Sequence, residues 1–165
     1  MPAVLTIERG SSPAMRCVIG SLIAHMVVAQ LVPAPWWVPD LTLVGMIYAV
    51  AHSPRRWFLY SSIAGLSTMV WAARDPAPLF ITSLVMGWMV QALTTRWDAS
   101  DARVQLTMVG MASLSTTLGA IWLEACWSWS MLGLGVAHIA VTCLSALGMQ
   151  RLIDGCARAG VVRSR

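Results

Sequence analysis

Two histidines lie deep inside long stretches of the sequence that carry no Asp, Glu, Lys or Arg. His25 falls within residues 17–39, and His138 falls within residues 125–150. Paired histidines on facing helices can ligate a b-type haem, and intramembrane histidines can relay protons. Neither position has a second histidine close by in the sequence. We therefore expect neutral histidines that are hydrogen-bonded across helices, and we predict no haem or other cofactor.

Asp40 is the only charged residue between Arg16 and Arg55. A carboxylate in so apolar a segment is costly unless it is partnered, and buried charges in membranes usually mark a function. Asp40 directly follows Pro39, however, and a helix N-terminus stabilises negative charge. We therefore expect a helix cap or structural anchor at Asp40, with a partner-binding or other functional role as the open alternative.

The sequence contains none of the common catalytic motifs. It lacks His-Glu-x-x-His, Gly-x-Ser-x-Gly, a phosphate-binding glycine loop and the Asp-Gly…Ala-Arg pattern of lipid-head transferases. Glu124 has no carboxylate nearby with which to form an acid–base pair. The four cysteines include no Cys-x-x-Cys and are expected to be free thiols. We predict a protein that is not an enzyme and that binds no metal.

Six runs without charged residues predict six membrane-spanning helices. Of the 165 residues, 58% are apolar and only 11% are charged, which is too little charge for the surface of a soluble domain. The continuous apolar runs favour helices over barrel strands. We predict a single all-α integral membrane domain, 1–165, that folds as a compact six-helix bundle. Its spans are expected at approximately 17–32, 36–52, 57–73, 78–95, 104–123 and 127–150.

The second charge-free run, 41–54, is the shortest of the six and is too short to cross a membrane by itself. A span usually needs roughly 20 apolar residues. Proline disfavours a helical conformation in the residue before it, so the helix itself is expected to begin at or after Pro39. Counted from Trp36, the second span reaches about 16 residues, which is thin but workable.

Arginine sets the predicted orientation, because the chain contains no lysine. With six spans, Arg74 lies on one side of the membrane and all the other arginines lie on the opposite side. The positive-inside rule places the arginine-rich side in the cytoplasm. We expect a multi-pass protein of the plasma membrane with both termini cytoplasmic. No basic face with interleaved aromatic residues suggests nucleic-acid binding.

Small and hydroxyl-bearing residues are concentrated in the last two predicted helices. Such residues let helix backbones approach closely and supply hydrogen bonds between helices. These helices are expected to pack inside the bundle or against a partner, and the sequence does not decide between the two. The residues are Gly110, Ser113, Ser115, Thr116, Thr117, Gly119, Gly133, Gly135, Ser145 and Gly148.

The segment from Val38 to Val50, VPDLTLVGMIYAV, resembles the most recognisable segment of MreD, the rod shape-determining membrane protein family of bacteria. That family has an Arg-Pro-Asp-Leu start, followed by an apolar helix with a tyrosine near its cytoplasmic end. The resemblance extends from Pro35 to Phe80 and also includes a Gly-Leu pair in the third helix and a Pro-Leu turn that opens the fourth. The matching residues are Pro39, Asp40, Leu41, Tyr48, Gly65, Leu66, Pro78 and Leu79.

The chain departs from the MreD pattern at two places. Val38 stands where the family usually has arginine. An acidic residue often follows the Gly-Leu pair by a few positions, and residues 67–70 of this chain, Ser-Thr-Met-Val, contain none.

The resemblance implies a non-enzymatic scaffold of the bacterial cell-elongation machinery, which makes peptidoglycan and sets the rod shape. Its expected partner is the transmembrane helix of an MreC-like protein. Through that protein it would connect indirectly to the MreB filament, to RodA and to the transpeptidase partner of RodA. Pro39, Asp40, Tyr48 and Gly65 are the expected partner-binding or structural residues. His25 and His138 are expected to make polar contacts inside the membrane.

The resemblance also implies a fold similar to the six-helix substrate-binding subunits of energy-coupling-factor vitamin transporters. Such a subunit is the alternative function, and it would need a concave outer pocket with several converging polar groups. The predicted outer ends offer mainly tryptophans, prolines, Arg74, Asp75 and Glu124. The sequence therefore favours the scaffold.

Overall fold

The computed structural model describes residues 11–34, 37–71, 76–98, 101–123 and 128–163, and within these ranges every regular element is helical. The predicted all-α class is therefore confirmed, although residues outside these ranges, such as Arg74, Asp75 and Glu124, are not described. The helices are α1 (Ser11–Leu31), α2 (Leu41–His52), α3 (Trp57–Trp71), α4 (Pro76–Thr94), α5 (Ala102–Leu123) and α6 (Trp129–Arg163), with a short 3-10 turn at Pro54–Arg56 between α2 and α3.

Helix α2 begins and ends where the local sequence dictates. The Asp40 side chain accepts a hydrogen bond from the Leu43 backbone N–H at 2.9 Å, which makes Asp40 the N-cap. At the other end, the Ser53 N–H donates to the Ala49 carbonyl, and Pro54 follows. The predicted start at or after Pro39 is confirmed, and the result is a helix of only 12 residues.

Three helix boundaries differ from the predicted spans by more than two residues. The first span was started at 17, whereas α1 begins at Ser11. The second span was placed at 36–52, but residues 37–40 are not α-helical because Pro39 and the Asp40 cap stop the helix at Leu41. The last span was ended at 150, whereas α6 continues to Arg163. No proline interrupts that region, and Arg151 is compatible with a helix that extends beyond an apolar layer.

Helix α2 lies at the centre of the fold and packs against all five other α-helices. Most of its side chains are buried, which agrees with its strongly apolar sequence. The most extensive contacts elsewhere join α3 to α4 and α5 to α6, as expected for helices that follow one another through short connections.

Glycines allow close approaches between neighbouring helices. A Cβ atom at Gly45 of α2 would lie 2.5 Å from the Cβ of Ser21 in α1. A Cβ atom at Gly87 of α4 would lie 2.8 Å from the Cβ of Ser61 in α3. Because real Cβ atoms do not come so close to other carbon atoms, these positions require glycine for the backbones to pack as they do.

The apolar core occupies one end of the bundle, which we call the packed end. Its residues come from the first halves of α1, α3 and α5, from the second half of α4, from α6 and from the whole of α2. They are Ala14, Val18, Leu43, Val44, Met46, Ile47, Ala49, Val50, Tyr60, Ala64, Met86, Val90, Met108, Val109, Ala112 and Ala146.

Many large apolar side chains remain exposed on the outside of the bundle. Val136 and Leu144 of α6 are each 67% exposed, and other examples occur on α1, α4 and α5. Two helical segments, Ala14–Leu31 and Trp129–Arg151, are long and apolar enough to cross a lipid bilayer. This observation is weakly consistent with the predicted membrane localisation.

Candidate functional site

The segment Pro39–Asp40 joins three helices. The Asp40 backbone N–H donates a hydrogen bond to the Thr142 hydroxyl of α6 at 3.2 Å, while the Asp40 carboxylate caps α2. His25 Nδ1–H of α1 donates to the Pro39 carbonyl at 3.1 Å. The ring nitrogen must be the donor, because a carbonyl oxygen only accepts. The expected anchoring role of Pro39 and Asp40 therefore has a clear geometric basis.

Two cavities lie against this segment, and Asp40 and Thr68 line both of them. The smaller cavity measures about 100 Å³ and lies between α2, α3, α4 and α5. The larger one measures about 330 Å³ and lies between α1, α3 and α6 and the connection before α2. We call this region the Asp40 end, and its smaller cavity borders the packed end at Leu43, Met46 and Ala64.

Hydroxyl groups are concentrated in the wall of the smaller cavity. Thr68 donates its hydroxyl proton to the Gly65 carbonyl at 2.8 Å, and Thr82 donates to the Pro78 carbonyl at 2.7 Å. Thr116 donates to the Ser113 carbonyl at 3.0 Å. Each hydroxyl proton is therefore used within its own helix, and each oxygen keeps lone pairs that can accept.

The larger cavity combines polar and apolar walls. His25 and His138 both line it, so the two histidines predicted to make intramembrane polar contacts border the same space. Ala29, Val32 and Val38 supply apolar surface. In a neutral His25 ring whose Nδ1 carries the proton, Nε2 is an acceptor.

Two of the predicted site residues lie away from Asp40. The Tyr48 ring stacks on His52, with 4.1 Å between ring centroids, near the cytoplasm-facing end predicted for α2. Gly65 is buried where α3 meets α4, and a Cβ atom there would lie 2.7 Å from the Phe80 ring. The structure therefore gives Gly65 a packing role and does not bring Tyr48 to the Asp40 end.

The described ranges hold no group of three His, Cys, Asp or Glu side chains suited to a metal ion. Such a group is the usual minimum for a tight transition-metal site. What the arrangement offers chemically is a cavity whose wall includes Asp40 and threonine hydroxyl oxygens that can accept hydrogen bonds.

The sequence reasoning missed the threonines at this site. Thr68, Thr82, Thr116 and Thr142 come from four different helices, and no linear motif connects them. For Thr68, Thr82 and Thr116, the available signal was the presence of hydroxyl residues in the outer halves of the predicted spans. Without helix packing, that signal cannot show which hydroxyls face inward.

The chain matches no known family model, no curated protein and no solved structure. The resemblance to MreD therefore stays a prediction that rests on the matching residues given above.

Proposed function

We propose that this chain is a six-span protein of a bacterial plasma membrane, with both termini in the cytoplasm. The exposed apolar side chains support the proposal, because a soluble monomer rarely leaves such large apolar surfaces in contact with water. They occur in the middle of several helices, where lipid would contact them. Examples are Ile23, Val27, Ile81, Val85, Trp88, Leu114, Leu118, Val136 and Leu144.

Helix α2 crosses only part of the bilayer in this arrangement. Its 12 residues give a length of about 18 Å, against a hydrocarbon thickness of about 30 Å. Asp40 contacts Thr142, which lies about 20 Å along α6 from Trp129. The start of α2 is therefore well inside the apolar layer, and the connection before α2 descends to it.

Buried backbone before α2 supports this placement. Irregular backbone is tolerated at membrane depth only where protein buries it or where it lines a water-filled cavity. Val38 and Pro39 are both buried, and Val38 also lines the larger cavity. The histidine bond to Pro39 and the threonine bond from Asp40 satisfy the polar groups that a helix would otherwise satisfy.

We propose that the chain acts as a non-enzymatic scaffold of the cell-elongation machinery and binds the transmembrane helix of an MreC-like protein. One observation carries this proposal. The residues that resemble MreD, Pro39 and Asp40, lie where α1, α2 and α6 are joined, so the motif holds the central helix in place.

A face of α6 has the shape that a partner helix needs. A Cβ atom at Gly133 or at Gly148 would meet no other atom within 4 Å, and both glycines are exposed together with Val136, Ala140 and Leu144. These positions recur every three or four residues and so form one face. Small residues on such a face allow close packing of another transmembrane helix.

Co-purification from detergent followed by mass spectrometry tests the scaffold function. We expect an MreC-like single-span protein to be recovered with the chain. Gly148→Leu should reduce its recovery strongly, because the new side chain would occupy the face of α6. Val85→Leu, on an exposed part of α4, is the matched control and should leave recovery unchanged. Recovery of an ATPase module and a bound vitamin, without an MreC-like chain, would contradict the scaffold.

The cavities favour a second candidate function, the substrate-binding subunit of a small-molecule uptake system. The larger cavity, at about 330 Å³, falls at the lower end of the range of ligand sites, roughly 300–1,000 Å³. Polar groups also converge there, contrary to what the sequence led us to expect. The same co-purification distinguishes the two functions by the partner that is recovered.

A further inference from the structure

We propose that the Asp40 end binds the primary ammonium group of a small amine. The Asp40 carboxylate would bind the ammonium group, the threonine hydroxyls of the smaller cavity would accept its remaining protons, and the larger cavity would hold the attached alkyl group. The inference does not rest on the scaffold function, because amine binding and partner recovery are measured separately and either can fail alone.

Asp40 determines the sign of the charge that we expect on the ligand. One carboxylate oxygen caps α2, and Asp40 lines both cavities. No arginine lines either cavity among the described residues, and the chain contains no lysine. An uncompensated carboxylate inside a bundle is costly, and a bound cation removes that cost.

The hydrogen-bonding pattern selects a ligand that donates. The hydroxyl protons of Thr68, Thr82 and Thr116 are all used by carbonyls of their own helices. These three threonines therefore present oxygen lone pairs in the wall that Asp40 shares, which also contains the hydroxyls of Thr42 and Ser83. A primary ammonium group carries three donor protons and no acceptor, which complements this wall.

The start of α2 is unsuited to an anion, although helix N-termini often bind anions. The Leu43 N–H is bonded to the Asp40 carboxylate, and the Val44 N–H is bonded to the Asp40 carbonyl. The Leu41 N–H donates to the Pro39 carbonyl, and the Asp40 N–H donates to Thr142. An anion would therefore find few free donors and a negative charge already in place.

The geometry also limits the size of the ligand. The smaller cavity, at about 100 Å³, has room for an ammonium group but not for a bulky head group. Ala29, Val32 and Val38 give the larger cavity apolar surface on the other side of Asp40. A short alkyl chain is therefore the expected substituent.

The test uses the full-length protein in phosphatidylcholine nanodiscs, because this lipid carries no primary amine. Isothermal titration calorimetry should show binding of ethylammonium and not of ethanol, acetate or tetramethylammonium. Butylammonium should bind more tightly, by about fourfold for each added methylene that is buried. Equal binding of ethylammonium and ethanol, or no binding at all, would overturn the proposal and leave cavities filled by water.

Variants locate the site. Asp40→Asn should lower the affinity for ethylammonium by about tenfold or more, because a charge-assisted bond is lost. Asparagine is as good an N-cap as aspartate, so this variant should still fold. Thr82→Val should lower the affinity by about fivefold through loss of one acceptor. Thr107→Val is the matched control, because the Thr107 hydroxyl makes the same type of bond on an exposed face, and it should have no effect.

Two further competition measurements identify the class of ligand. If sodium or potassium at equal concentration displaces ethylammonium, the site binds monovalent cations in general and the assignment to an amine is wrong. Adding phosphatidylethanolamine to the nanodiscs distinguishes two sources of the ammonium group. Competition by this lipid would support a lipid head group as the natural ligand, and absence of competition would support a free amine. Unchanged ethylammonium binding by Asp40→Asn would overturn the proposal in either case.

Discussion

At the packed end of the bundle, Ala49, Val50 and Tyr60 are fully buried, whereas at the Asp40 end two cavities lie between the helices. Helix α2 belongs to both ends, since it starts at Asp40 and runs into the apolar core. Close packing leaves no space for extra atoms. Space lined by polar groups, in contrast, is what ligand binding requires. The comparison indicates that stability comes mainly from one end and that binding chemistry belongs to the other.

The largest expected difference between the two ends is in the loss of unfolding free energy when one methyl group is added at each. Gly87→Ala at the packed end should lower the free energy of unfolding by about 2 kcal/mol, because its Cβ would collide with Ser61. Gly119→Ala, which lines the smaller cavity and has open space for a Cβ, is the matched control and should cause no loss. Thermal unfolding in detergent checks both variants.

A second substitution tests whether the collision is the cause. Ser61→Gly should restore much of the stability that Gly87→Ala loses, because it removes the side chain that the new Cβ meets. If Gly87→Ala and Gly119→Ala lower the free energy of unfolding equally, the two ends do not differ in packing.

The packed end also contains polar atoms that the packing does not satisfy, and the largest of these side chains is Tyr60. The Tyr60 hydroxyl is fully buried, and it finds no hydrogen-bond partner in the described part of the chain. Tyr60→Phe should therefore raise the free energy of unfolding by about 1.5 kcal/mol, since an unsatisfied buried hydroxyl carries a desolvation cost. Chemical denaturation of the two proteins measures the difference. A clear loss of stability would indicate a partner for this hydroxyl.

The stability of the Asp40 end should depend more on the helix cap at Asp40 than on side-chain packing. Asp40→Ala should lower the free energy of unfolding by about 1 kcal/mol, because the Leu43 N–H loses its acceptor. Asp40→Asn should keep most of the stability, because asparagine also caps helices well. If Asp40→Asn is as unstable as Asp40→Ala, the charge matters to folding as well, and the cap alone does not explain Asp40.

The smallest expected effect is at the contact between α5 and α6. Gln150 Nε2 donates to Gln105 Oε1 at 2.8 Å, and Gln105 is buried. A double-mutant cycle with Gln105→Leu and Gln150→Leu should give a coupling energy of about 0.6 kcal/mol, as is usual for such bonds between membrane helices. A coupling energy near zero would mean that the two side chains act independently and that α5 and α6 are held by apolar packing.

The sequence predicts the helices of this fold better than it predicts their packing. Charge-free runs locate the six helices, and Pro39 with Asp40 locates the start of α2, because helix boundaries depend on local chemistry. The small residues of the last two helices fall into two groups in the structure, those that pack against another helix and those that do not. A Cβ at Gly135 would lie 2.9 Å from Thr117, whereas Gly133 has open space. Which glycines pack inward depends on the rotation of each helix, and composition does not reveal it.

The candidate site was predicted only in part, for the same reason. Asp40 and His25 are conspicuous in an apolar sequence, and the structure places both at the Asp40 end. Thr68 and Thr82 are ordinary residues of apolar helices until α3 and α4 bring them to one cavity. Tyr48 and Gly65 match a family pattern, but a pattern does not tell a packing residue from a binding residue.

Cysteine accessibility tests most directly the central claim, that the bundle is open at the Asp40 end and closed at the packed end, together with the proposal that the Asp40 end faces the outside of the cell. Ala29→Cys, which lines the larger cavity, and Val18→Cys, which replaces a buried core residue, lie on the same helix, α1, in a background where the four natural cysteines are replaced by alanine. A membrane-impermeant maleimide added to intact cells should label Ala29→Cys and leave Val18→Cys unlabelled. Labelling of both variants, of neither, or of Ala29→Cys only from the cytoplasmic side would contradict the account.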